Sequence, residues 1–208
     1  MNKLIGLCGF IGSGKGTVAK ILVEEHGYAE DSFAATLKDA VAAVFGWPRH
    51  MLEGDTEESR AWREEVDPWW SEKMGKPITP RWVLQYWGTD LCRTHFHPDI
   101  WILSLERKLL NSDRNIVIAD CRFPNEVEMI KRLGGEVWRV KRGAEPEWYE
   151  DAINFNKGMQ NIGWAIAKDR LNKQAVHPSE YSWVGSDFDR VLENESTIDA
   201  LRALVEGR

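Results

Sequence analysis

The chain has few cysteines: Cys8, Cys92 and Cys121 in 208 residues, an odd number with neither metal-ligand nor redox spacing. This excludes a disulfide framework and a zinc site, and Cys8 and Cys121, in or beside apolar segments, read as reduced core residues of a cytoplasmic protein. No apolar run approaches the roughly 18 residues of a membrane span. The first residues lead straight into a glycine-rich loop, so no signal peptide is expected. Cations are in deficit, with 27 Lys and Arg against 33 Asp and Glu and a formal charge of −6. A nucleic-acid footprint needs an excess of Lys and Arg on one face, which this balance argues against. A small nucleotide needs only a local cluster. No internal repeat or low-complexity segment is present, and the length suits a single domain with one sizeable core.

The sharpest feature present is Gly9-Phe10-Ile11-Gly12-Ser13-Gly14-Lys15-Gly16-Thr17, between the apolar run Leu4-Ile5-Gly6-Leu7-Cys8 and the helical segment Val18 to Val23. In a Gly-x-x-x-x-Gly-Lys loop, glycines let successive backbone N–H groups curl around phosphate oxygens, and the following helix presents its positive end to the same anion. Gly12, Ser13, Gly14, Lys15, Gly16 and Thr17 therefore form an expected nucleoside triphosphate site, with Lys15 reaching the β- and γ-phosphates. Gly16 occupies the usual place of a magnesium-binding hydroxyl, so Thr17 is expected to supply it, directly or through water. The wording of the loop is similar to that of nucleoside monophosphate kinases.

Strand and helix signals alternate along the chain, the pattern of an α/β fold with a parallel sheet. A first helix ends near His26-Gly27, and a second runs from Thr36 to Phe45, stopped by Gly46-Trp47-Pro48. Asp31-Ser32-Phe33 is too short to assign. Residues 49–79 are polar and broken by Pro68 and Pro77, which reads as a peripheral helical excursion. From Arg81 to Phe96, Trp82, Leu84, Trp87 and Leu91 have helical spacing interrupted by Gly88, and His97-Pro98 restarts a helix. The run Asn115 to Ala119, closed by Asp120, reads as a central parallel strand buried on both faces. A helix from Asn125 to Leu133, a strand from Glu136 to Lys141, a strand at Asp189 to Leu192 and a helix capped by Ser196 complete the chain. Eleven tryptophans, several between residues 60 and 90, form either packed core or an aromatic wall for base stacking.

Phosphoryl transfer asks for charge neutralisation and in-line placement, hence one magnesium carboxylate and several cations. Asp120, at the carboxyl edge where ligands bind in doubly wound sheets, is the candidate carboxylate, or else it caps the next helix. Arg122, Arg139, Lys141 and Arg142 are candidate cations. The connection at 143–176 carries Lys157, Lys168, Arg170 and Lys173, and is either a closing lid or, over 164–173, a solvated charged helix. Thr89-Asp90 follows a glycine in a helical stretch. A buried Asp there would need a polar partner, while a helix-restarting cap would be ordinary. Taken alone, His177-Pro178 reads as a turn.

Five segments in order then resemble a family: the loop; Phe33-Ala34-Ala35-Thr36-Leu37-Lys38-Asp39-Ala40; Leu84-Gln85-Tyr86-Trp87-Gly88-Thr89-Asp90-Leu91; Ile118-Ala119-Asp120-Cys121-Arg122-Phe123-Pro124-Asn125-Glu126; and Val140-Lys141-Arg142 with His177-Pro178-Ser179-Glu180. Together they are similar to the deoxynucleoside monophosphate kinases of bacteriophages, the group that includes the phage T4 enzyme. The resemblance implies a three-layer P-loop fold, a parallel sheet with helices on both faces, with a helical acceptor-side region at about 46–112 and a lid at about 143–176. It implies ATP and Mg2+ as donor, a deoxynucleoside 5′-monophosphate as acceptor, and a homodimer in the host cytoplasm. Lys15, Arg122 and Arg142 would serve catalysis. Lys38, Thr89, Asp90, Arg122, His177 and Glu180 would hold the acceptor, and Thr17 and Asp120 the metal. Where many relatives carry Gly-Lys-Asp-Thr, this chain has Gly14-Lys15-Gly16-Thr17, and Gly12 stands where some place a basic residue. Two other readings stand beside this one: a P-loop kinase of a hydroxymethylated base in DNA, which would want a basic groove, and a non-catalytic nucleotide-binding regulator.

Overall fold

Leu4–Cys8 carries no charged or hydrogen-bonding side chain apart from its terminal thiol, and all five positions are buried, as in a strand covered on both faces. The computed structural model describes residues 3–158 and 161–207. In chain order the elements are β1 (Leu4–Cys8), α1 (Lys15–His26), β2 (Ala29–Asp31), α2 (Ala35–Phe45), α3 (Glu57–Glu64), α4 (Pro68–Met74), α5 (Pro80–Gln85) and α6 (Ile100–Leu110). They continue with β3 (Ile116–Ile118), α7 (Pro124–Arg132), β4 (Glu136–Lys141), α8 (Tyr149–Asn156), α9 (Ile162–Lys173), α10 (Pro178–Tyr181), β5 (Arg190–Glu193) and α11 (Ile198–Glu206). Two compact units result: the residues up to Ser32 with those from Asn111 onward, and Phe33–Leu110.

The first unit is the α/β body. Its five strands lie in the order β2-β3-β1-β4-β5, every neighbouring pair parallel. Alternate residues of β1 serve opposite faces. Ile5 and Leu7 join a core with Val18, Ala19, Ile21 and Leu22 of α1 and Leu201 and Val205 of α11. Gly6 faces the other way, where a Cβ would fall 2.4 Å from Ile130 Cδ1 of α7. Helices thus cover both faces, as expected of this fold class. Cys8 and Cys121 are buried and unpaired by disulfide, and burial holds the Cys121 thiol well above its usual range. Asp31, in a stretch too short to assign from sequence, ends a short strand, β2. One local expectation is corrected: α11 is capped by Thr197, whose hydroxyl accepts from the Ala200 N–H, not by Ser196. No helix among the described residues is long and apolar enough to cross a membrane.

The second unit is helical, with a core of Leu37, Val41, Phe45, Trp47, Leu52, Ile78, Val83 and Trp101. Residues 49–79 are therefore no peripheral excursion, since Leu52 and Ile78 are fully buried. Their polarity reflects exposed faces and caps: Thr56, Asp67 and Thr79 each accept a backbone N–H, and proline follows Asp67 and Thr79 at the first helical position. Trp62, Trp70, Trp82 and Trp87 pack against the core. Three indole N–H groups are spent inside the unit, Trp47 on Asp67 (2.7 Å), Trp70 on the Phe45 carbonyl (3.0 Å) and Trp101 on the Gly88 carbonyl (2.9 Å). That accounts for most of the tryptophan excess by core packing, although Trp69 is 57% exposed.

Tyr86–Phe96 is wound as a π-helix, ending on a bond from the His97 N–H to the Cys92 carbonyl. The wider winding turns the apolar stripe outward, so Leu91 is 40% exposed instead of buried. Thr89 and Asp90 are exposed within the same uninterrupted winding. Asp90 thus carries no burial penalty, and neither residue restarts a helix.

The turn out of β1 passes close against β4. Gly9 has φ +150, and a Cβ there would lie 2.3 Å from the Val140 carbonyl oxygen of β4. Gly9→Ala combines a strained φ with a clash against backbone that cannot rotate away, and should cost about 2–4 kcal/mol in chemical denaturation. Wild-type stability in that variant would show that the loop does not sit against β4 in this way.

Candidate active site

The loop from Gly9 to Gly14 joins β1 to α1 at the carboxyl edge of the sheet, where open parallel sheets place ligands. Gly14, with φ +103, forms the N-cap and leaves the first turn of α1 without a capping side chain. Those orphan N–H groups and the helix dipole make the loop an anion cradle. Ser13 is 4% exposed and its hydroxyl has no hydrogen-bond partner among the described residues.

Lys15 bends back over the loop, donating from Nζ to the carbonyls of Gly9 (2.6 Å) and Phe10 (2.9 Å). Burial, with the Arg122 guanidinium nearby, pulls its ammonium from the usual 10.5 down to about 8, against weaker support from Cys8 and Glu180. Arg122 in turn bridges to Glu180 of α10 at 3.5 Å. Lys15, Arg122 and Glu180 thus form one electrostatic group.

Asp120 lies two residues past the end of β3, half-buried, and is not the cap of α7, whose N-cap is Phe123. Thr17 is half-buried in the first turn of α1. A carboxylate and a hydroxyl are hard oxygen donors of the kind Mg2+ accepts, and Mg2+ takes one or two protein ligands plus phosphate and water. Among the described residues no cluster of three His, Cys, Asp or Glu side chains forms a fuller cage.

The remaining candidates separate. Arg142 is exposed and has no partner among the described residues. Arg139 is not an available cation: it is 8% exposed, forked onto both Glu145 oxygens (2.6 and 2.7 Å) and bonded to the Tyr149 hydroxyl at 2.6 Å. Its guanidinium also faces the Tyr149 and Trp183 rings, and these rings with Trp148 enclose Phe10 of the loop. Lys141 pairs with Glu193 at 3.3 Å. His177 caps α10, its Nδ1 facing the Ser179 N–H at 3.2 Å. In the 143–176 connection, Arg170 pairs with Asp151 and Lys173 with Asp169, while Lys168 lies over the Trp164 ring; positions 159 and 160 lie outside the described residues.

In the helical unit, Lys38 is bound to Glu53 at 2.5 Å. Burial alone would raise the Glu53 carboxyl, but the hydrogen bonds from Lys38 and Arg49 outweigh it and hold it low. The role of Glu126 escaped sequence reasoning. It is 3% exposed and accepts the Arg122 and Phe123 N–H groups at 2.8 and 3.1 Å, fixing the turn that presents Arg122. A Glu three residues past a helix N-cap is a capping-box signal that could have revealed it.

The chain is 36% identical over 211 residues to the "Putative deoxynucleotide monophosphate kinase" of Acanthamoeba polyphaga mimivirus, covering 94% of this chain and 90% of that protein. It is 28% identical over 184 residues to the deoxynucleoside-5′-monophosphate kinase of Escherichia phage T5, covering 63% of this chain and 72% of the relative. Among solved structures it is similar to TT1252 from Thermus thermophilus, at 20% identity and TM-score 0.48 over 99% of this chain and 95% of that one. It is also similar to shikimate kinase from Aquifex aeolicus, at 11% identity and TM-score 0.43 over 98% and 93%. No family model matches the chain.

A lysine with a depressed pKa that meets a phosphate should regain its proton. Bound anion favours charged Lys15, so nucleotide binding takes up protons in the window between about 8 and the ordinary lysine value. In the ligand-free protein the same shift makes stability rise with pH across that window, because the unfolded chain then binds more protons there. Calorimetry of ADP binding at pH 8, in buffers of different ionisation enthalpy, should show uptake of about half a proton per ADP, absent in Lys15→Gln. Equal uptake in both proteins would place the proton elsewhere.

Proposed function

The chain belongs to the viral deoxynucleoside monophosphate kinase family, and on that premise we propose that it transfers the γ-phosphate of ATP to a deoxynucleoside 5′-monophosphate, giving ADP and dNDP for DNA precursor synthesis. The observation that carries this reading is the joining of the anion cradle to two cations, Lys15 and Arg122, at one edge of a parallel sheet. An NTP-binding module needs only the cradle and its lysine. A phosphoryl transferase also needs charge placed where it develops on the migrating group.

In this proposal the backbone of Gly12, Ser13, Gly14, Lys15 and Gly16 holds the donor phosphates. Lys15 leaves the Gly9 and Phe10 carbonyls for the β- and γ-phosphate oxygens, and a ligand of opposite charge offsets its repulsion with Arg122. Arg122 exchanges Glu180 for phosphate, and Arg142 adds a second guanidinium. Thr17 and Asp120 would hold Mg2+, which when bound would neutralise part of the phosphate charge. Lys38, Thr89, Asp90, His177 and Glu180 hold the acceptor, Lys38 after release from Glu53. No general base is needed, since the acceptor oxygen belongs to a phosphate that is already a dianion. The homodimer and host-cytoplasm location that the resemblance implies belong to this proposal too.

A coupled ADP-release assay with ATP and Mg2+, run against a panel of dNMPs and NMPs, tests it. ADP release should require an acceptor. Lys15→Ala should lower kcat/KM by about 10³-fold and Arg122→Ala by about 10²-fold. Release that ignores the acceptor would leave a hydrolase or a switch, and release driven by duplex DNA would favour the base kinase.

A further inference from the structure

The phosphate loop is held from outside by a residue beyond β5. Asn194 is fixed to the end of the sheet: its backbone N–H donates to the Lys141 carbonyl at 2.7 Å. The neighbouring Glu195 carboxylate accepts from the Gly143 N–H at 2.7 Å, tying the same turn to the chain leaving β4. From that base the Asn194 side-chain Nδ2 donates to the Ser13 carbonyl at 2.9 Å. The assignment of nitrogen and oxygen in this amide is chemically forced, because a carbonyl can only accept. The approach leaves no room for a side chain on the loop: a Cβ on Gly14 would lie 2.4 Å from Asn194 Nδ2.

In a trans peptide, the C=O and N–H bonds lie in the peptide plane and point in opposite directions. Drawing the Ser13 oxygen toward Asn194 therefore turns the Gly14 N–H away from it, and that N–H has no partner among the described residues. We propose that Asn194 is a positioning residue for the phosphate donor: it orients the Ser13–Gly14 peptide so that the Gly14 N–H is presented to a phosphate oxygen. A loop peptide free to flip would offer its carbonyl oxygen to the anion in some molecules, and the carbonyl repels what the N–H attracts. This inference rests on the kinase reading of the loop.

Two variants and two classes of ligand test it. Asn194→Ala removes the donor, and Asn194→Asp keeps the shape while replacing the donor with an acceptor. Both should raise KM for ATP and the Kd of ADP by about tenfold or more, Asn194→Asp the more strongly, the order expected for one hydrogen bond to a charged group. KM for the dNMP, the Kd of adenosine and the melting temperature without nucleotide should stay within about twofold or a few degrees. Unchanged ADP binding in both variants would overturn the proposal. So would an equal loss for ADP, adenosine and dNMP with a lowered melting temperature, which is the signature of a structural role. If wild-type protein binds no ADP, the kinase reading fails with it, whereas normal wild-type binding beside unaltered variants sinks the positioning role alone.

Discussion

Lys15 and Arg122 carry like charge and are held within electrostatic reach at the carboxyl edge of the sheet, where burial strips Lys15 of much of its water. Such a pair raises the energy of the ligand-free protein, and the surrounding contacts relieve it only in part. Two loop carbonyls solvate the ammonium, and Glu180 bridges to the guanidinium. Neither partner is optimal for a full charge, since carbonyls are dipoles and the Arg122 bridge, at 3.5 Å, is long and partly exposed. In the proposed function a polyphosphate would satisfy both cations at once. Cations fixed in place before the ligand arrives are what electrostatic preorganisation requires.

Holding that pair in place falls to the backbone. β1 and β3 pair in parallel, so the turns leaving them open on the same edge and bring the loop beside Asp120 and Arg122. Gly9 lets the chain pass under the Val140 carbonyl, and Gly14 accommodates Asn194. Phe10 is packed against Trp148, Tyr149 and Trp183, and Arg139, held by Glu145, lies over the Tyr149 and Trp183 rings. Both ends of the 149–183 segment therefore meet at the first residues of the loop. Glu126 does the same for the Arg122 turn through two backbone N–H groups. Glu126 and Asn194 thus act on the site through peptide groups and not through the ligand.

The sequence made this plan legible where its information is local. A glycine-rich loop between an apolar strand and a helix, and an apolar run ending in Asp120, are short-range patterns with one physical meaning each. It was opaque where meaning depends on a distant or unexpected partner. Arg139 reads as one more cation until Glu145 and Tyr149 are seen to claim it, and nothing in the sequence signals that Lys38 is paired with Glu53. Segment 49–79 looks peripheral by charge because Leu52 and Ile78 are too widely separated to form a stripe. A period of 3.6 does not describe Tyr86–Phe96, which is wound as a π-helix whose i to i+5 bonds rotate later side chains such as Leu91 onto another face. Asn194 left no sequence signal, since its role depends on a contact across 181 positions.

The central claim, that this charged cradle moves a phosphoryl group to a nucleotide and does not merely bind or hydrolyse one, is tested most directly by following the phosphorus. With ATP labelled at the γ-position, Mg2+ and a dNMP, the account predicts label in dNDP at one equivalent per ADP formed, with none released as inorganic phosphate. Label recovered as free phosphate, or retained in ATP whichever acceptor is supplied, would contradict it.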